Sequence, residues 1–133
     1  MEKTQHLELL GRVYDGECKN GLPHGKGRLT LTNGEVYEGT FVEDAFTGEG
    51  KHIINAHAEE TGMFVNYQLN GKGRKTFFVP EIYGRNADGS PKGFVYEGEF
   101  LEGELHGYGR KIGPDGTIEE GLFEYGNLVG PIP

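Results

Sequence analysis

Residues 96–109 read YEGEFLEGELHGYG, and both halves of this stretch recur along the chain. Related first halves, with an aromatic or acidic residue two positions before a glycine, begin at residues 14, 37, 60, 96 and 119. The intervals are 23, 23, 36 and 23 residues, so the third interval carries 13 extra residues. A Gly-x-Gly sequence follows at a constant offset in the first four units. Self-similarity at a fixed period of about 20–50 residues indicates a tandem repeat protein.

Alternation within each unit predicts two strands joined by turns. In the first unit, the period of two places Tyr14, Gly16 and Cys18 on one face of a strand, opposite two acidic side chains. In the returning strand Lys26 and Arg28 alternate with glycine and leucine, so acidic strands are expected to pair with basic strands. No window shows sustained helical periodicity. We predict an all-β fold, an elongated and twisted antiparallel array of tandem β-hairpins in a single-layer sheet.

Glycine makes up 24 of the 133 residues, far above the usual share of about 7%. Glycine weakens a strand unless packing or curvature requires it. We therefore expect Gly16, Gly25 and Gly27 to leave room for aromatic rings of this and neighbouring hairpins to lie on the backbone. Asn33-Gly34 and Asp115-Gly116 predict two-residue hairpin turns, because both residue types tolerate positive φ.

The repeats divide the chain into two parts. Residues 14–133 are predicted as the repeat domain, and residues 1–13 as an N-terminal capping strand or tail. The extra residues fall within 76–95, predicted as an extended hairpin with an apolar root, which covers one end of a groove, contacts a partner or is a tolerated surface insertion. Pro131 and Pro133 are expected to stop strand pairing at the last edge of the sheet.

The repeat resembles a known family, the MORN ("membrane occupation and recognition nexus") repeats. The resemblance rests on Tyr14-x-Gly16…His24-Gly25-x-Gly27 and its copy Tyr96-x-Gly98…His106-Gly107-x-Gly109, and it covers about residues 14–133. Cys18 stands where the family usually has Trp or Phe, and Glu60 and Glu119 stand where it has Tyr. The resemblance implies a groove lined by repeat aromatics and a non-catalytic interaction module without a cofactor.

We expect a peptide or helix of a protein partner to bind in this groove. Its floor is predicted to consist of the seven repeat aromatics Tyr14, Tyr37, Phe41, Phe64, Tyr96, Phe100 and Phe123. One alternative is peripheral membrane or phosphoinositide binding, which requires five basic residues to meet on one face, namely Lys72, Arg74, Lys75, Arg110 and Lys111. A second alternative is homotypic assembly, with dimers formed end to end through sheet edges or the groove.

Residues that elsewhere carry chemistry have simpler explanations in this chain. His24 and His106 occupy the same repeat position, which favours a local polar contact in a turn over acid–base catalysis or metal binding. Cys18 is expected to be a small core residue. The Gly-Lys-Gly sequences lack the spacing and the helix of a phosphate-binding loop. We therefore predict no catalytic residue, no metal site and no enzyme.

Composition excludes several other classes of protein. The formal net charge of −8 disfavours binding to nucleic acid, because phosphates attract basic surfaces. A single cysteine cannot form an internal disulfide framework. The chain has no apolar stretch of about 18 residues, and its first residues do not resemble a secretory signal. We expect a cytoplasmic protein, with a peripheral location at a membrane or the cytoskeleton as the alternative.

Overall fold

The computed structural model describes residues 3–131, which form one open antiparallel sheet. Each strand pairs with its neighbours in the sequence, so the spatial order of the strands is their order along the chain. This confirms the predicted array of tandem hairpins. The strands are β1 (Lys3–Leu9), β2 (Arg12–Lys19), β3 (Leu22–Leu31), β4 (Val36–Val42), β5 (Ala45–Ile53), β6 (Ala58–Val65), β7 (Gln68–Phe78), β8 (Gly93–Leu101), β9 (Glu104–Ile112), β10 (Ile118–Glu124) and β11 (Asn127–Gly130).

A row of glycines crosses the sheet from β2 to β10. Its members are paired in register from strand to strand: Gly16, Gly27, Gly39, Gly50, Gly62, Gly73, Gly98, Gly109 and Gly121. A Cβ atom on Gly27 would overlap the ring of Tyr14, and one on Gly50 would overlap the ring of Phe46. The prediction that glycine makes room for rings on the backbone is confirmed at Gly27 but was wrong for Gly25, where an added Cβ would meet the Glu17 side chain. The row fixes where large side chains can lie.

The core lies on one face of the sheet beside the glycine row, and we call this face the ring face. One position of each repeat supplies a buried side chain to it, in a series that we call the ring row: Cys18, Phe41, Phe64, Phe100 and Phe123. Phe46 packs between two members of this row, with ring centroids 5.0 Å from Phe41 and 4.8 Å from Phe64. Rings of adjacent hairpins therefore bury one another without a second layer.

Charges alternate in sign across most of the opposite face, which we call the outer face. In register across the strands lie Asp15, Arg28, Glu38, Lys51, Thr61, Arg74, Glu97, Arg110 and Glu120. Arg28 lies 3.9 Å from Glu38, and Glu97 lies 3.5 Å from Arg74 and 2.8 Å from Arg110. The predicted pairing of acidic with basic strands is confirmed, and each exposed pair contributes up to about 1 kcal/mol.

The two-residue turns lie between the two strands of each repeat, at the turn position of the repeat, and not at Asn33-Gly34 and Asp115-Gly116. Five two-residue turns have positive φ at both positions, as type I′ turns require: Asn20-Gly21, Glu43-Asp44, Asn66-Tyr67, Glu102-Gly103 and Tyr125-Gly126. At Asn33-Gly34, by contrast, the Leu31 N–H donates to the Glu35 carbonyl oxygen over 2.8 Å and closes a three-residue loop. The prediction of two-residue turns at Asn33-Gly34 and Asp115-Gly116 was therefore wrong.

The insertion differs from the predicted extended hairpin by one helical turn, α1 (Pro80–Tyr83). Proline suits the first position of a helix because its missing N–H would have no partner there. Beyond α1, Arg85 and Pro91 form an isolated bridge around the tip of the loop. At the first edge of the sheet β1 pairs with β2, and at the last edge Pro131 follows β11, whereas Pro133 lies outside the described residues.

Candidate functional site

The structure separates the seven repeat aromatics into two groups. Five are buried in the core, with 0–4% of their surface exposed: Tyr14, Phe41, Phe64, Phe100 and Phe123. Tyr37 and Tyr96 are only partly buried and pack at the margin of the core. The five buried rings hold adjacent hairpins together. Of the predicted groove floor, therefore, Tyr37 and Tyr96 are the residues whose rings a ligand could reach.

Tyr37 and Tyr96 belong to a second row on the ring face, which we call the tyrosine row. It runs in register from β2 to β9 and consists of Tyr14, Leu29, Tyr37, His52, Glu60, Lys75, Tyr96 and Lys111. The row begins with two fully buried apolar residues and continues with partly exposed and charged ones. The tyrosine row thus combines apolar, aromatic, acidic and basic side chains on the ring face.

A depression of about 470 Å³ lies beside Tyr37 and is lined in part by Leu29, Leu31 and Tyr67. The Tyr67 ring meets the Tyr37 ring edge-on at 5.1 Å, and the Tyr67 hydroxyl donates to the Asp44 carbonyl oxygen over 2.5 Å. Burial, with the charges of nearby carboxylates, raises the pKa of Tyr37 to about 12. The phenol is therefore neutral near neutral pH, and this depression combines an apolar wall with the polar side chains of Arg12 and Asp44, which pair with each other over 2.9 Å.

A second depression, of about 220 Å³, lies beside Tyr96 four strands further along the sheet. Phe100, Leu105 and Tyr125 contribute apolar surface to it, and Lys75 and Lys111 contribute ammonium groups. The Lys111 Nζ lies 5.7 Å from the centre of the Tyr96 ring and donates to the Gly126 carbonyl oxygen over 2.6 Å. This depression therefore combines an apolar wall with positive charge.

Between the two depressions lies a buried ionic cluster. His52 Nδ1 is 2.8 Å from a carboxylate oxygen of Glu60, and His52 Nε2 is 2.7 Å from one of Glu35. Lys75 Nζ is 3.1 Å from the other oxygen of Glu60, and the His52 ring stacks on Tyr37 at 4.0 Å. Ionised carboxylates only accept hydrogen bonds, so this arrangement favours the imidazolium form of His52, in which both ring nitrogens donate.

Proton affinities in the cluster follow from competing causes. Burial lowers the pKa of His52, but the hydrogen bonds to Glu60 and Glu35 outweigh it and raise that pKa above its ordinary value. Burial likewise raises the pKa of Glu60, but His52 and Lys75 outweigh it and lower that pKa. Sequence reasoning missed this cluster, although the departure of Glu60 from the tyrosine of its repeat position was a signal.

The basic residues proposed for a phosphoinositide headgroup do not meet on one face. Lys75 and Lys111 lie on the ring face, whereas Lys72, Arg74 and Arg110 lie on the outer face. On the outer face, Glu97 lies in register between Arg74 and Arg110 and pairs with both. The prediction of one patch of five charges was wrong, because adjacent residues of a strand point to opposite faces.

The repeat histidines make the local turn contact that the sequence predicted. His24 Nδ1 accepts the N–H of Glu43 over 3.1 Å, and His106 Nδ1 accepts the N–H of Tyr125 over 3.2 Å. Thr47 occupies the same repeat position and accepts the N–H of Asn66 over 3.1 Å. In each case the side chain holds the first residue of the next type I′ turn.

Cys18 is buried in the core, and burial raises the pKa of its thiol. The insertion covers a cavity of about 400 Å³ whose lining includes His57, Arg74 and Arg85. Arg74 is paired with Glu97 and Arg85 with the Gly89 carbonyl oxygen, so both guanidinium groups already have acceptors.

Within residues 3–131, no three His, Cys, Asp or Glu side chains are grouped so that they could hold a metal ion. No helix in the same range is long and apolar enough to cross a membrane.

Comparison with known proteins agrees with the repeats seen in the sheet. The family model of the MORN repeat matches residues 14–36, 37–54, 61–78 and 96–118. The chain is 32% identical over 102 residues to Alsin of Rattus norvegicus and 30% identical over the same length to Alsin of Homo sapiens. It is 31% identical to the ALS2 C-terminal-like protein of Mus musculus. These matches cover 76% of this chain, but only 6% of the Alsins and 10% of the third relative.

Proposed function

Because this chain belongs to the MORN repeat family, whose members are non-enzymatic modules for interaction with proteins or membranes, we propose that it docks a segment of a protein partner on its ring face. The observation that carries the proposal is the partial exposure of Tyr37 and Tyr96, each beside a depression on a face whose other repeat rings are buried. Tyrosine is enriched at interfaces because it combines an apolar ring with a polar tip.

The spacing of the two depressions suits a chain segment that runs across the strands. Tyr37 lies on β4 and Tyr96 on β8, and four strand spacings of about 4.8 Å give about 19 Å. Six extended residues or about 13 helical residues cover that distance. A partner peptide of this length contacts both tyrosines while crossing the ionic cluster between them. The proposal for phosphoinositide binding lacks the single basic face on which it depended.

The test compares two faces of the same sheet. Wild-type protein, the double variant Tyr37→Ser/Tyr96→Ser and the control Tyr108→Ser are used to capture partners, which are identified by mass spectrometry and then titrated in purified form. Tyr108 is exposed on the outer face, so the control removes a similar ring from the opposite surface. We expect the double variant to bind at least about tenfold more weakly and the control to bind like the wild type. Equal binding by the double variant, or an equal loss in the control, contradicts docking on the ring face.

A further inference from the structure

We propose that the depression beside Tyr96 binds a carboxylate carried on an apolar group, with Lys111 as the cation that recognises it. The inference rests on the proposed docking function and names the chemistry of the docked segment: an acidic residue next to an aliphatic or aromatic one. The occupant is therefore a partner peptide with a negative charge at the position that meets β9.

Comparison of one repeat position in four units carries the inference. The position is occupied by Leu29, His52, Lys75 and Lys111 in successive units, always in the tyrosine row. Leu29 is apolar, and His52 and Lys75 are paired with carboxylates of the chain itself. Within residues 3–131, no carboxylate pairs with Lys111. In the fourth unit, this position therefore carries a positive charge, on Lys111, that no carboxylate of the described residues neutralises.

The surroundings of Lys111 hold its ammonium group at the depression. The Nζ atom lies over two rings, 5.7 Å from the centre of Tyr96 and 5.6 Å from that of Phe123, and such contacts attract a cation. An ammonium has three N–H donors, and one of them is used by the Gly126 carbonyl oxygen. Glu119 lies opposite Lys111 in the strand register but is exposed and makes no ion pair with it. The ammonium group of Lys111 is therefore held at the depression and keeps N–H donors that a ligand can use.

The remaining walls define what is attached to the carboxylate. Phe100 and Leu105 are buried at the base of the depression, and Tyr125 is exposed at its side. The volume of about 220 Å³ is below the ~300–1,000 Å³ of typical small-molecule sites, so it suits one side chain of a larger partner.

Two small probes of similar size and shape, one anionic and one neutral, test the inference. In wild-type protein, 3-phenylpropionate is compared with 3-phenylpropanamide by titration, with the backbone amide signals of Leu105 and Gly126 followed by NMR. We expect the carboxylate to shift these signals in the millimolar range and the neutral amide to bind at least about tenfold more weakly. The same titration of Lys111→Gln should lose the preference for the carboxylate. Lys26→Gln, which removes an exposed lysine from the outer face, should keep it.

Three outcomes contradict the inference. These are equal binding of both probes to the wild type, an undiminished preference in Lys111→Gln, and signal shifts that avoid the depression. Because the probe comparison in the wild type does not depend on any variant, it holds even if Lys111→Gln fails to fold. A partner that is lost with Tyr37→Ser/Tyr96→Ser but binds Lys111→Gln normally would overturn the inference and leave the docking function intact.

Discussion

The pair of strands β2 and β3 and the pair β5 and β6 carry different chemistry at the same place in the sheet. In the first pair, the tyrosine row is occupied by Tyr14 and Leu29, which are 0% and 1% exposed. In the second pair, it is occupied by His52 and Glu60, which are 7% and 8% exposed. The burial is nearly equal, although one pair is apolar and the other is ionic.

This difference shows what the sheet requires at each row. The glycine row and the ring row run through both regions, whereas the tyrosine row accepts either an apolar pair or an ion pair. A buried polar group is tolerated when its hydrogen bonds are made. Tyr14 meets this condition by donating its hydroxyl proton to the Glu17 carbonyl oxygen over 2.6 Å, and His52 meets it through Glu60 and Glu35.

The largest expected effect concerns the ring row, which both regions share. Phe41, on β4, packs edge-on against Tyr14 of the first region, and Phe64, on β6, packs on Phe46 of the second, with both side chains 1% exposed. Phe41→Ala and Phe64→Ala should each lower the free energy of unfolding by about 3–5 kcal/mol, because truncation leaves a cavity in a shallow core. Denaturation with urea measures the loss.

Phe77→Ala is the control for these truncations, because the Phe77 ring is 39% exposed. Its substitution should cost much less than that of Phe41 or Phe64. If only one of the two buried rings proves costly, the ring row is not a common requirement and the comparison of the two regions fails.

A smaller effect is expected from the glycine row. Gly27 in the first region lies under the Tyr14 ring, and Gly50 in the second lies under the Phe46 ring. A methyl group at either position forces the ring to shift, so Gly27→Ala and Gly50→Ala should each cost about 1–3 kcal/mol. Gly130→Ala is a matched control, since the nearest atom to its added Cβ is 3.9 Å away. Equal stability of Gly50→Ala and Gly130→Ala in thermal unfolding would show that the ring is not held against the backbone.

Much of the fold could be predicted because it depends on local rules repeated many times. The period of 23 residues and the alternation of charges specify hairpins and their pairing. The turn at Asn33-Gly34 was mispredicted because its extra residue, Thr32, changes which backbone groups meet. The helical turn at Pro80–Tyr83 lies in the insertion, where the repeat gives no guidance.

The candidate site was predicted less well because it depends on contacts between repeats. Phe41 is buried by Tyr14 of the preceding hairpin as well as by Phe46 of its own, and the contact between hairpins does not appear in the pattern of a single unit. The division of Arg74 and Lys75 between faces, however, follows directly from the period of two. Glu60 occupies a tyrosine position of the repeat, so this departure is visible in the sequence. Its link to Glu35 through His52 is not visible there, because Glu35 lies beside a turn, just before β4, and reaches His52 on β5.

The smallest expected change in stability comes from exchanging the chemistry of the two regions. The double variant His52→Leu/Glu60→Tyr places the Leu29 and Tyr14 residue types in the second region. Glu35 and Lys75 lose their buried partners, but their side chains are 24% and 34% exposed and can be solvated. Replacing a buried ion pair by apolar groups of suitable volume is often close to neutral. Near pH 5.5 the free energy of unfolding should therefore stay within about 1 kcal/mol of the wild type.

The same exchange should abolish a pH dependence. The folded pKa of His52 is raised, so its stabilising contribution is complete below the ordinary value of 6.5 and is lost as pH rises through the folded pKa. The folded pKa of Glu60 is lowered, so its contribution is complete above 4.5 and is lost as pH falls through the folded pKa. The stability difference between wild type and variant should thus be most favourable to the wild type between these values and shrink on both sides.

Exposed His6 also has a raised pKa, but it is present in both proteins and cancels in the difference. A difference that stays constant from about pH 5 to 9 in urea denaturation would mean that His52 is not held as an imidazolium.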